Sequence, residues 1–218
     1  MKNIACRVIP MLALVAGMAG MASCEVASHL ERAPSTAIAR GEQIYRSSCV
    51  GCHGSRGTGD SFLAVPSLAG QRQQYLQEQL NYFSTDERHS AQMRWAFKRV
   101  SVDLPQAAAD VALYLSRLPV QRVAEGDPRF QVEGQATFLA NCASCHGADG
   151  RGNSDGNIPS LRAQHDSYLV HRLRQFSTAS PTVVIGAHVI DDHRIVAVAA
   201  YLSSLRGMTT EAVPSLAQ

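Results

Sequence analysis

Two stretches of the chain repeat the same residue types in the same order: Cys49-Val50-Gly51-Cys52-His53 and Cys142-Ala143-Ser144-Cys145-His146, each followed by glycine. Two thiols three positions apart lie on one turn of helix, where both can form thioethers to a single porphyrin. The imidazole of the next residue then sits under the metal as its proximal ligand. Such a pattern supports one-electron chemistry at a covalently held haem iron. Zinc knuckles and redox dithiols also use paired cysteines, yet neither accounts for a histidine directly after the second cysteine in both copies. Cys49, Cys52, Cys142 and Cys145 are therefore the candidate attachment residues for two haem c groups, with His53 and His146 as candidate axial ligands.

The elements that position these residues repeat as well. Cys49 and Cys142 are 93 residues apart, and the same shift pairs Gly41 with Gly134, Tyr45 with Phe138, Pro66 with Pro159, Tyr75 with Tyr168 and Phe83 with Phe176, without a gap. The chain reads as a tandem repeat, with one domain in residues 37–118 and the other in 129–206. Residues 119–128 read as a linker and 207–218 as a tail. Helices running into the two haem motifs are predicted over 37–48 and 131–143. A glycine-rich loop follows each, then a Pro-Ser-Leu triplet, then amphipathic stretches at 74–83 and 167–176 where Tyr, Leu and Phe recur every three or four residues. Closing helices rich in Ala, Val and Leu are predicted over 106–118 and 191–205. No run alternates apolar and polar residues for long enough to make a strand, so the expected fold is all-α.

Residues 1–23 have the form of a signal peptide, with Lys2 and Arg7, an apolar run from Val8 to Ala22, and small residues at its end. That run is too short to span a bilayer. Met21-Ala22-Ser23-Cys24 also has the form of a lipobox, in which Cys24 would be lipidated and tether the chain to a membrane. Cleavage near Ala22 would instead release it; in either case 24–36 is a flexible leader. Cys6 and Cys24 fall in this segment, so no cysteine pair is left for a structural disulfide, and the periplasm is the expected compartment. Without Lys2 and Arg7 the net charge of +2 vanishes, leaving 18 basic residues against 18 acidic ones. No basic stripe with interleaved aromatics is present to hold nucleic acid, and redox proteins are the expected partners. Two domains sharing about 195 residues are each too small for a large side-chain core, a deficit that a porphyrin would fill.

The run Pro66-Ser67-Leu68-Ala69-Gly70-Gln71 with Tyr75-Leu76 and Gln79-Leu80, echoed by Pro159-Ser160-Leu161, Gln164, Tyr168-Leu169 and Leu173, resembles the segment after the haem site in dihaem cytochromes of the c4 type. The resemblance, to a tandem of class I cytochrome c domains, extends from about Ala37 to Leu205. It implies two haem domains related by a pseudo-twofold axis and close enough to exchange electrons. It also implies that Gly41 and Tyr45 pack against Tyr114, and Gly134 and Phe138 against Tyr201. The family places an axial methionine in the loop after Phe83, and Met93 matches that place. A thioether favours ferrous iron and raises the potential. His89 is the rival ligand, and a gap-filler in the core is the other reading of Met93.

The second copy departs from this pattern, because residues 176–192 contain no methionine. Tyr114 pairs with Tyr201 at a shift of 87, so six residues are missing from this loop. Counted back from the closing helix, the methionine slot falls near Val183, among side chains unable to ligate iron. Counted forward from Phe176, it falls near His188, which is thus a candidate axial ligand. An open iron beside Val183, Val184 and Ile185 is the alternative, and His193 or Met208 are remote candidates. His165 and His171 are expected on the solvated side of the helix near Ser167, and at least two of Arg162, Arg172 and Arg174 on a solvated face. No nucleophile-base pair or second metal cluster is evident. The expected function is non-enzymatic electron transport between partners such as a terminal oxidase, another cytochrome or a dehydrogenase. Small-ligand binding, peroxidase or sulfur-oxidising chemistry at the second haem is the alternative.

Overall fold

The computed structural model describes residues 36–100, 103–121, 126–153, 155, 157–178 and 188–205. The signal segment, Cys24, Met208 and the apolar trio at 183–185 lie outside the described residues. Helices α1 (Ala37–Ser48), α2 (Val50–His53), α3 (Gln73–Ser84), α4 (Ala91–Phe97) and α5 (Leu104–Ser116) form the first half. The second half contains α6 (Pro128–Asn141), α7 (Ala143–His146), α8 (Asp166–Thr178) and α9 (Asp192–Ser204). Among the described residues there is no strand. Two isolated antiparallel bridges, Asp60 with Val65 and Asn153 with Ile158, close equivalent loops. The fold is all-α, as the sequence led one to expect.

Local signals explain where the helices begin. Thr36 opens α1 by accepting the Ala39 N–H at 3.2 Å, and Asp191 opens α9 by accepting that of Arg194 at 3.0 Å. Pro128 occupies the first turn of α6, where a missing N–H breaks no helical bond. Helices α1 and α3 pack on α5, and α6 and α8 pack on α9. Each of these modules crosses at a glycine. A Cβ on Gly41 would stand 2.0 Å from the Asp110 carbonyl oxygen, and one on Gly134 would stand 2.0 Å from that of Ala197. Beside the crossings, Tyr45 meets Tyr114 with ring centroids 5.6 Å apart and Phe138 meets Tyr201 at 5.7 Å, the contacts that the family resemblance implied. Asp110 and Ala197 keep the shift of 87, which puts the six-residue shortening between α8 and α9.

One feature of the crossing differs between the halves. Arg40 donates to Asp110 from Nε at 2.6 Å and from Nη2 at 3.0 Å, and Gln106 adds a bond at 2.9 Å. Asp110 is only 2% exposed. The equivalent positions in the second half are Glu133, His193 and Ala197, and there Nδ1 of His193 lies 3.0 Å from Glu133.

The halves dock through the segments that follow their haem motifs. Gln71 donates to the Ser160 carbonyl at 2.8 Å and accepts the Ser160 N–H at 2.9 Å. Its counterpart Gln164 donates to the Ser67 carbonyl at 2.9 Å and accepts the Ser67 N–H at 2.8 Å. Arg72 reaches the carbonyls of Arg151 and Gly152, and its counterpart His165 reaches that of Thr58 at 2.8 Å. This corrects the expectation that His165 is solvated: it is 4% exposed, because it seats against a partner 107 residues away rather than on a face of α8.

Candidate haem sites

Both haem motifs are built by the same local moves. The helix preceding each motif ends at its first cysteine, whose N–H still bonds one turn back, Cys49 to Tyr45 at 2.9 Å and Cys142 to Phe138 at 2.8 Å. One further turn, α2 or α7, carries the second cysteine and the histidine. Gly54 (φ 75°) and Gly147 (φ 77°) then stop the helix in a conformation that L side chains avoid. The chain next tightens around Gly59 and Gly152, where a Cβ would stand 2.3 Å from the carbonyl oxygens of Val65 and Ile158. This tight return brings the Pro66 carbonyl to Nδ1 of His53 and the Pro159 carbonyl to Nδ1 of His146, both at 3.2 Å.

That bond fixes the tautomer: Nδ1 carries the proton and donates, which leaves Nε2 to bind a metal. His53 and His146 are 6% and 8% exposed. Burial pushes both imidazoles below the ordinary histidine pKa and so favours the neutral form that can act as a ligand. Among the described residues no cysteine is in a disulfide, and Cys52 and Cys145 are exposed. Burial pushes the Cys49 thiol up to about 11 and raises that of Cys142 as well. Paired cysteines beside a buried, neutral and carbonyl-oriented imidazole fit a haem c in each half.

The distal side differs between the halves. Met93 lies half-buried in α4, whose first turn is capped by Ser90 Oγ accepting the Met93 N–H at 3.3 Å. The family resemblance implied a loop at Met93; the structure gives it a seven-residue helix. His89, the rival ligand, has a side chain 80% exposed and pairs with Asp86 at 3.1 Å. In the second half the His188 ring lies 6.2 Å from that of His146, centroid to centroid, at an interplanar angle of 57°. It also stacks on Phe176 at 4.7 Å and 16°. Burial, and after it the Arg172 cation, hold the His188 pKa below its ordinary value. His193 is instead engaged by Glu133 and meets the Phe130 ring edge-on at 5.9 Å, at the start of α6.

Arg88, in the turn after α3, and Arg172, on α8, come to the junction of the halves. Arg88 donates to the Tyr168 hydroxyl at 3.0 Å and to Gln79 at 2.7 Å, with its guanidinium 4.5 Å from the Phe83 centroid. Arg172 lies 4.2 Å from the Phe176 centroid, and its Nε is buried without a hydrogen-bond partner. The Arg162 side chain is 16% exposed, whereas that of Arg174 is 54% exposed and pairs with Asp192 at 2.6 Å. The solvated face expected for at least two of these three arginines holds only for Arg174. His171 is exposed, as expected. Sequence reasoning gave Arg88 no role, since its partner Tyr168 belongs to the other half.

Each half is therefore a covalent haem carrier, and the two together make a dihaem electron-transfer protein. The chain belongs to the cytochrome c family, whose model, described as Cytochrome c, matches residues 38–118 and again 131–206. The tandem arrangement is that of the dihaem c4 type, with two covalently bound haem c groups. The thiosulfate dehydrogenase electron acceptor of Thiomonas intermedia is 31% identical over 146 residues, spanning 61% of this chain and 64% of that relative, slightly under two thirds of its length. Cytochrome c4 of Thiocapsa roseopersicina is 29% identical over 181 residues, 76% of this chain and 91% of the relative. Reduced recombinant cytochrome c4 from Pseudomonas stutzeri shares the fold, with a TM-score of 0.68 over 78% of this chain and 98% of that one at 24% identity.

Proposed function

We propose that this protein is a non-catalytic electron carrier of the periplasm, taking electrons from one redox protein and delivering them to another. Bound haem supplies a one-electron ferric/ferrous couple. Cys49 and Cys52 hold the first haem and Cys142 and Cys145 the second, while His53 and His146 present Nε2 as proximal ligands. Met93 is the sixth ligand of the first haem. The observation that carries this reading is the duplicated proximal geometry, a buried histidine held at 3.2 Å by a proline carbonyl directly after a thiol pair. The remaining residues keep these groups in place: burial excludes water from the imidazoles, and the Gln71 and Gln164 clamps fix one half against the other. A fixed, dry surround limits the rearrangement that accompanies a change of charge.

Likeness to a thiosulfate dehydrogenase electron acceptor supports a redox protein as partner, with a terminal oxidase, another cytochrome or a dehydrogenase as the classes in view. An acyl group on Cys24 would hold the carrier at a membrane surface; among the described residues no helix is long and apolar enough to cross one. The test combines mass spectrometry of the exported protein with redox titration. Two added haems and reversible uptake of two electrons are expected, without sustained turnover of thiosulfate or peroxide. One added haem or none, or steady turnover by the isolated protein, would overturn the proposal.

A further inference from the structure

We infer that His188 is the sixth ligand of the second haem, braced by Phe176 and Arg172, so that a bis-imidazole iron in the second half feeds a His/Met iron in the first. The inference rests on the proposed reading of one haem per half, and its own ground is a distance. Two imidazoles bound trans to one iron have metal–nitrogen bonds of about 2 Å, with about 1.1 Å more from each nitrogen to its ring centre. Their centroids therefore stand roughly 6.3 Å apart. The His146 and His188 centroids are 6.2 Å apart. A distal histidine standing off the iron, hydrogen-bonded to an iron-held water or peroxide, would need an oxygen in between and a separation of roughly 8 Å or more.

The brace has a counterpart in the first half. Arg88 lies over Phe83 at 4.5 Å as Arg172 lies over Phe176 at 4.2 Å, and Phe83 and Phe176 are equivalent in the repeat. In the first half the chain beyond this pair runs on into α4 and Met93. In the second, six residues shorter, His188 stacks against Phe176 at an interplanar angle of 16°. The loss of those residues thus exchanges a thioether-bearing helix for an imidazole backed by an aromatic ring. Since methionine raises the potential relative to a second histidine, the two haems are unequal and the electron rests on the first. A donor docking at the second half and an acceptor docking at the first would then use the chain in its downhill direction.

The experiment is spectroscopy and spectroelectrochemistry on the full dihaem protein. For the unaltered protein we expect two low-spin haems, one methionine-to-iron charge-transfer band per two irons, no CO uptake on reduction, and two separate reduction waves. The band should belong to the haem reduced first. His188→Ala should make half the iron high-spin and CO-binding; His188→Met should double the charge-transfer band and draw the two waves together. Phe176→Leu, which keeps the ligand but removes the stack, should give a fractional high-spin population. A native protein with half its iron high-spin or binding CO, or a His188→Ala spectrum identical to the original, would overturn this assignment while leaving the carrier function standing. Should either variant fail to fold, CO titration of the native protein still decides. Absence of the second haem would instead strike at the carrier reading itself.

Discussion

Gln164 holds Ser67 at two points, accepting its N–H at 2.8 Å and donating to its carbonyl at 2.9 Å across the junction of the halves. Ser67 directly follows Pro66, whose carbonyl orients His53, so the clamp between the halves and the anchor of the proximal ligand share one peptide unit. Gln71 and Ser160 repeat the arrangement beside Pro159 and His146. Docking of the halves and orientation of the two candidate iron ligands are mechanically one feature.

Gln164→Ala should consequently cost about 2 kcal/mol, because it strands a buried N–H and carbonyl on Ser67. Gln71→Ala should cost less, since Gln71 is only half-buried and water can replace part of the loss. Thermal unfolding of both variants gives the ranking. Amide exchange at Ser67 should accelerate in the first, and equal stabilities for the two variants would contradict the role assigned to burial.

Gly152→Ala places a Cβ 2.3 Å from the Ile158 oxygen and 2.4 Å from that of Pro159, in a backbone with φ 70°. The strain should cost about 1–3 kcal/mol and push the Pro159 carbonyl off His146. An imidazole that loses this acceptor becomes less basic and supports ferric iron less well, so the potential of the second haem should rise while the first keeps its own. Haem-resolved redox titration reads both.

Met93→Ala should abolish the thioether charge-transfer band and lower the first haem's potential by on the order of 0.2 V, a fraction of the roughly 0.8 V that axial ligation spans. The second wave should not move. A variant with both waves in place would place the sixth ligand elsewhere than Met93.

The Arg40–Asp110 pair predicts an asymmetric pair of mutants. Removing the arginine leaves a carboxylate that is 2% exposed without its counter-charge, at a cost of about 3 kcal/mol. Asp110→Asn leaves an arginine side chain already 39% exposed, which can turn to water, at about 1–2 kcal/mol. Denaturant unfolding of Arg40→Ala and Asp110→Asn tests the order.

Where a residue's role is set by its own neighbours in the chain, the sequence was readable. The cysteine and histidine pairs and the helix over 37–48 follow from short-range pattern and from the repeat, while the Gly41–Tyr114 and Gly134–Tyr201 crossings were legible only through the family resemblance. Helix α4 was not readable, because seven residues hold only one apolar triplet at helical spacing, Met93, Ala96 and Phe97, too short a run to establish a period, and its start depends on the Ser90 cap. His165, Arg88 and Arg172 were misjudged or passed over for a different reason. Part of their surroundings is built by the other half of the chain, and helical periodicity shows only which face a residue occupies, not what another domain lays on it. Comparing the copies position by position would have flagged His165, which stands where the first copy has Arg72.

The divergence at the helix crossing also bears on how two look-alike modules avoid assembling with each other's parts. Were α6 to settle on α5, Glu133 would occupy the place of Arg40 and confront the buried Asp110, anion against anion; α1 on α9 would leave Arg40 facing Ala197 and an imidazole. Only the native partnering keeps a cation beside the buried Asp110, so the difference between the copies opposes an exchange of their first helices.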